Sequence, residues 1–405
     1  MSKILVSCLS FLLLASIRAQ NEGIGDSLNK FAARLLQVTA NEAGDKMNLA
    51  LSPYTVWSLL SIITEGAREN TASELEAALE IPKDKSKFRE EYGVLRKTLL
   101  KPTEGVTLEL SSGIFTNKIH PLKKKFRQLM NYYYNVDITP VDFRDTKAST
   151  DFINKYVADA TKNRIPNLLL EGDVQNAEIF LTSTLYFKGD WKLPFNKTAT
   201  QKVPFFDEKN AQIGQVDMMF TKRFVPFSKM DEIKSSVVLL PYGDGNKMSM
   251  IVILPKKGSS VSEVLELLIE SPMTKIYERL RKEEQQYYDD EINIYLPKFS
   301  ISSDLNLMIA LYKMGVKDVF DFSTANLLDM VDQYLFISGL IQKAEIEVNE
   351  EGTVASAAAG ASAIYKQQTP NFIANRPFIY ALYDSEAKSV IFNGIYRTPQ
   401  YSKLS

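Results

Sequence analysis

The sequence predicts an α+β fold in one large domain, on three observations. Helical periodicity dominates the first third of the chain. Short alternating or wholly apolar runs with strand character dominate the rest. No linker, internal repeat or Pro-rich break divides the two parts. Helices followed by many strands read as α+β rather than as alternating βαβ units. The composition agrees: 405 residues, 45% hydrophobic and 24% charged, are ordinary globular values that exclude collagen, coiled coil and wholesale disorder. With 48 Lys+Arg against 49 Asp+Glu there is no electrostatic footprint for nucleic acid.

In chain order, residues 1–19 read as a secretory signal peptide. Lys3 opens it, Ile4 to Ile17 is mostly apolar, and Ala19 is a small residue before the expected cut. The run is too short for a membrane anchor, and polar residues follow at once. Residues 20–405 are then the mature, secreted chain. Cleavage removes Lys3, Arg18 and no acid, lowering the formal net charge of −1 by two.

The helices come next. Leu28, Phe31, Leu35 and Leu36 share one helical face. Ser52-Pro53 is an N-cap followed by proline at the first helical position, and Val56, Leu59, Leu60 and Ile63 continue that helix to a C-cap at Gly66. Thr71 and Glu74 have the spacing of a capping box before Leu75, Ala78 and Leu79. Residues 88–100 and 122–134 also carry helical periodicity. Strands are expected at 106–114, 179–187, 292–296, 335–337, 344–349 and 390–396. A hairpin is expected from 237–241 and 248–254, joined by the Gly-rich turn Tyr242-Gly243-Asp244-Gly245-Asn246.

Several chemistries are excluded. The single cysteine, Cys8, lies in the signal, so the mature chain has no thiol, disulfide or Cys-ligated metal. The single histidine, His120, stands beside Pro121, and no nucleophile elbow, zinc, phosphate-loop or dinucleotide motif is present. The reading is therefore a non-enzyme with no catalytic residues, metal or cofactor. Asn196-Lys197-Thr198 is the sole N-x-S/T acceptor, an expected glycan site.

Residues 352–363 contain only Gly, Thr, Val, Ala and Ser, without a charge or a large side chain. Glycines at 352 and 360 and the absence of an apolar anchor argue for an exposed loop rather than a helix. With strands expected on either side, a loop of such small residues can also enter a sheet without steric penalty.

That loop and its surroundings resemble the serpin family, over roughly Leu28 to Pro399. The resemblance rests on collinear motifs: Asn48-Leu49-Ala50-Leu51-Ser52-Pro53; Phe152-Ile153-Asn154 through Val157, Thr161 and Ile165; Leu185-Tyr186-Phe187-Lys188-Gly189-Asp190-Trp191 with Pro194-Phe195; Leu296-Pro297-Lys298-Phe299; Met314-Gly315-Val316; Lys343-Ala344, then Glu347-Val348-Asn349-Glu350-Glu351-Gly352-Thr353; Asn375-Arg376-Pro377-Phe378; and Phe392-Asn393-Gly394. It implies a large central sheet, further sheets behind it, about nine helices, and an exposed hinge and reactive-centre loop over residues 350–374.

The activity it implies is suicide inhibition of a serine protease by a monomer that is trapped as a covalent complex. The hinge residues are then Glu350, Glu351, Gly352, Thr353, Val354, Ala355, Ser356, Ala357, Ala358 and Ala359. Thr353, Ala355, Ala357, Ala359 and Ala361 form one alternate set, all small enough to be buried on insertion. The family's count of seventeen residues from the first hinge acid ends on Lys366, which lies eleven residues before Pro377. Lys366 is the expected bait, Lys366-Gln367 the reactive bond, and a trypsin-like protease the partner; Tyr365 is the rival bait. The resemblance also implies a buried cluster where the sheet opens: Ser52 and Thr55, with Ser183 and Gln342 replacing the usual Asn and His. Trp191 is expected under the hinge. A glycosaminoglycan could meet the basic residues at 83–101 and 123–127, although a solvated helix face explains them better. The runner-up activity is a non-inhibitory carrier.

Overall fold

The computed structural model describes residues 23–82, 84–286, 291–352 and 369–399. They form nine α-helices and three sheets. The central sheet has five strands in the order Phe299–Asn306, Ile337–Val348, Ile179–Gly189, Val106–Asn117 and Ile138–Val141. Behind it lies a six-stranded sheet that contains the expected hairpin, Ser235–Pro241 with Met248–Pro255, and the C-terminal strands Phe378–Asp384 and Ser389–Tyr396. A four-stranded sheet runs from Asn371–Ile373 through Ile292–Pro297 and Gln212–Arg223 to Gln201–Phe206.

The helix Pro53–Thr64 is buried on every side, between sheets. A helix apolar all round belongs in a core. Two of its hydroxyls are satisfied within the helix: Ser61 donates to the Trp57 carbonyl and Thr64 to that of Leu60, each at 2.8 Å. The helix Thr146–Ala160 covers the other face of the central sheet, packing Ile153 and Val157 on Phe115 and Phe180. This cover explains why Glu109 and Ser111, polar positions of an alternating strand, are buried.

Three expectations change. Thr71 and Glu74 make no capping box, because the helix already begins at Glu69. Instead Thr71 Oγ1 accepts the Asn326 N–H at 3.0 Å, and the Glu74 carboxylate accepts the N–H groups of Lys317 and Asp318 at 2.7 and 2.8 Å. Gly66 follows a helix capped at Glu65, and its need for glycine is steric: a Cβ there would stand 2.6 Å from Met330 Cβ. The strands expected at 335–337 and 344–349 are one strand, Ile337–Val348, with Leu335, Phe336 and Asn349 outside it, and it pairs parallel with Ile179–Gly189. Local sequence carries no sign of strand direction, which tertiary connection decides.

Candidate functional site

The parallel pair Ile179–Gly189 and Ile337–Val348 forms a seam at the centre of the sheet, with Ile337 opposite Ile179 and Glu347 opposite Lys188. Both strands end at the same edge. There the chain leaving Val348 lies against the segment leaving Gly189. Trp191 N–H donates to the Glu351 carbonyl at 2.9 Å, Trp191 Nε1 to the Asn349 carbonyl at 2.7 Å, and Phe195 N–H to the Glu350 carbonyl at 3.1 Å. Trp191 is buried and stacks on Tyr242 with ring centroids 4.2 Å apart. Two glycines permit this approach: a Cβ on Gly352 would meet the Trp191 carbonyl oxygen at 2.5 Å, and one on Gly189 the Tyr242 ring at 2.6 Å.

The two acids after the strand have different surroundings. The Glu350 side chain is buried, accepting from Thr200 Oγ1 at 2.8 Å and pairing with Lys298 Nζ at 3.2 Å. Burial pushes its carboxyl up, but the Thr200 hydroxyl, a backbone hydrogen bond and Lys298 more than offset this and hold it below the usual carboxylate range. The Glu351 side chain is half-exposed and pairs with Lys188 at 3.1 Å and Lys197 at 3.6 Å. The Lys188 contact is the main reason that its carboxyl is also lowered.

Midway down the seam, on the face toward the buried helix, lies a polar cluster. Gln342 Nε2 donates to Ser183 Oγ at 2.8 Å and to the Ser52 carbonyl at 2.9 Å, with Thr55 Oγ1 at 3.4 Å. Its Oε1 accepts the Ser52 N–H at 3.0 Å, and the Thr55 and Ser183 hydroxyls meet at 2.5 Å. All four side chains are buried. Ser52 stands at the N-cap position before Pro53, but its hydroxyl does not cap the helix; it donates to the Ile391 carbonyl at 3.3 Å.

The order of the strands, the hinge at their shared edge and this cluster agree with a match to the serpin family, serine protease inhibitors, over residues 26–399. This chain is a serpin. The leukocyte elastase inhibitor of Sus scrofa is 31% identical over 386 residues, 93% of this chain and all of that protein. That of Equus caballus is 30% identical over the same shares. A solved Manduca sexta serine protease inhibitor, serpin-12, is 26% identical and superposes with a TM-score of 0.79, covering 93% of this chain and 99% of that one.

Within this serpin, the residues expected to form the cluster, Ser52, Thr55, Ser183 and Gln342, lie together, and Trp191 bridges to Gly352, where the hinge is expected to begin. Lys366, Gln367 and the expected hinge residues from Thr353 to Ala359 lie outside the described residues, as do residues 1–19, the expected signal peptide. Sequence reading missed the partners of the hinge acids: Thr200, Lys298, Lys188 and Lys197. Two of them sit inside motifs quoted above, Lys188 in Tyr186-Phe187-Lys188-Gly189 and Lys298 in Leu296-Pro297-Lys298-Phe299. It also missed Arg223, which donates to the carbonyls of Leu193 and Pro194 and lies over the Phe195 ring; burial pushes its guanidinium down to about 10.

Of the basic residues considered for a polyanion, Lys85, Lys87, Arg89, Lys101 and Lys123 pair with Glu76, Glu91, Glu65, Glu386 and Asp332. A polyanion there competes with internal partners. Among the described residues, no cluster of three or more His, Cys, Asp or Glu is placed to hold a metal, and no helix is long and apolar enough to cross a membrane.

Proposed function

We propose that this serpin is a secreted suicide inhibitor of a trypsin-like serine protease and that Lys366 is its bait. The observation that carries the reading is the parallel seam with the hinge at its end. A strand that turns back from Gly352 into the seam runs antiparallel to both neighbours and replaces one parallel ladder with two antiparallel ones. The small alternate residues from Thr353 to Ala361 suit the buried face of such a strand.

The chemistry follows from the family's activity. The protease serine attacks the Lys366 carbonyl carbon, the Lys366–Gln367 peptide bond breaks, and the amine of Gln367 leaves as the acyl ester forms on Lys366. The freed hinge end then inserts. Each backbone hydrogen bond gained contributes on the order of 1 kcal/mol, so a strand of about a dozen residues can drive the rearrangement. The uncleaved state is then a kinetic trap. The Lys366 ammonium complements the carboxylate at the base of a trypsin-like specificity pocket. The leukocyte elastase inhibitors above support protease inhibition as the activity; the choice of a trypsin-like target rests on Lys366.

The test is incubation with a panel of trypsin-like and elastase-like proteases, read on a denaturing gel and by mass spectrometry. The expected result is an SDS-stable complex with a trypsin-like enzyme, a released peptide beginning at Gln367, loss of inhibition in Lys366→Ala, and a secreted N-terminus at Gln20. A peptide beginning at Lys366 assigns the bait to Tyr365. Cleavage without a complex supports the non-inhibitory carrier instead.

A further inference from the structure

Away from the seam, a cleft of about 380 Å³ opens between the edge strand Phe227–Met230 of the six-stranded sheet, the helix Met273–Gln286 and the start of the strand Ile292–Pro297. One side of it is apolar, formed by Val225, Phe227, Ile292 and Pro370. Ile292 is buried, and the Phe227 ring stands edge-on to that of Phe372 with centroids 6.5 Å apart. Pro370 is held by its carbonyl, which accepts the Asn293 N–H at 3.0 Å. The other side carries Glu283 and Glu284 of the helix. The Glu283 carboxylate is fixed through one oxygen: Oε1 accepts from Ser228 Oγ at 2.8 Å and from Arg279 Nε at 3.0 Å. Its Oε2 has no hydrogen-bond partner among the described residues, and the side chain is 25% exposed. Glu284 pairs with Arg281 on the same helix, and Arg279 is itself anchored on Glu232 and the Lys229 carbonyl.

We propose that this cleft binds a small organic cation, an amine or guanidinium on an apolar body. The charged head meets Glu283 Oε2, and the body lies against Val225, Phe227, Ile292 and Pro370. The volume falls within the range of about 300–1,000 Å³ common to small-molecule sites, and apolar walls with a few placed polar groups are their usual make-up. Because Ser228 and Arg279 already hold the Glu283 side chain through Oε1, it loses little rotamer freedom when a ligand arrives. A cationic donor on a carboxylate also forms the stronger, charge-assisted class of hydrogen bond. An acid in the same place would face two carboxylates, and of the residues lining the cleft only Lys229, exposed at its rim, is basic. Arg279 and Arg281 offset part of the acidic charge, so the ligand's own charge contributes about tenfold in affinity rather than more.

The experiment titrates the intact native protein with three probes of one shape, read by ligand-observed NMR at neutral pH: 2-phenylethylamine, the neutral 2-phenylethanol and the acid 3-phenylpropionate. It involves no protease and no cleavage, so its outcome is independent of the inhibitory reading. The amine should bind wild type about tenfold more tightly than the alcohol, and the acid more weakly than either. Glu283→Gln keeps an acceptor for Ser228 and should bring the amine down to the affinity of the alcohol. Val225→Trp fills the cleft and should weaken amine and alcohol alike. Lys229→Gln should not weaken the amine. The ligand comparison on wild type needs no variant, so a variant that fails to fold leaves the test intact. Equal affinity for amine and alcohol removes the role of Glu283 and overturns the proposal. Preference for the acid assigns the cleft to Lys229 and overturns it too. So does amine binding that survives both Glu283→Gln and Val225→Trp, or no amine binding at millimolar concentration.

Discussion

Gln342 and Ser183 are register partners across the central seam, and their side chains meet at 2.8 Å with both residues wholly buried. The Gln342 amide also bonds Ser52 through its N–H and carbonyl. One side chain thereby ties two strands and the start of the buried helix.

Gln342→Ala should therefore loosen the seam. It leaves the Ser52 N–H without its side-chain acceptor in a buried site, and an unmet buried polar group costs roughly 1–3 kcal/mol. Polymerisation on mild heating should begin several degrees lower than in wild type. Unchanged polymerisation assigns the closure of the seam to other contacts.

Thr353→Arg should leave the bait intact and block insertion. Thr353 follows Gly352, which already touches Trp191, so its side chain is the first to enter. An ionised group in the sheet interior is strongly disfavoured. The variant should be cut at the same bond as wild type but yield little covalent complex, and the cleaved product should gain little thermal stability. A variant that inhibits as well as wild type would falsify insertion as the trapping step.

Glu350 should make the native hinge sensitive to acid. Its carboxyl is lowered from the ordinary value of 4.5 in the folded state. A lowered pKa contributes stability that is fully present above the unfolded value and is lost as pH falls through the folded one. The melting temperature of the uncleaved form should fall as pH drops below about 4.5. Glu350→Gln should be less stable than wild type at neutral pH, and the difference should close in acid. A constant difference across that range assigns the effect to shape rather than charge.

Asn196 should carry a glycan if the chain is secreted as expected. It is exposed, and its Oδ1 accepts from the Thr198 N–H and hydroxyl at 3.0 and 2.8 Å, which points the sequon residues toward one another. Secreted protein should lose mass on N-glycosidase treatment, and Asn196→Gln should abolish that change. No change in the wild type removes Asn196 as an acceptor.

The sequence by itself determined which stretches are helix or strand wherever apolar spacing was regular. It also determined that a chain whose single cysteine is Cys8 relies on its core without an internal disulfide, that residues 352–363 are all small, and that serpin motifs run collinearly along the chain. Buried positions such as Leu28 and Leu35 are legible because one-sided burial imposes a helical period on local sequence, and Ile251 because a strand buried on both faces reads as a continuous apolar run. Tertiary structure decided what depends on neighbours far along the chain. The parallel direction of the Ile337–Val348 strand, the use of the Ser52 hydroxyl on Ile391 instead of on its own helix, and the partners of Glu350 and Glu351 all fall in this class. The Thr71–Glu74 spacing illustrates the limit: it satisfies a local capping rule, yet both side chains hold backbone some 250 residues away. A polar side chain bonds whichever donor or acceptor the folded chain brings to it, and no local period encodes that choice.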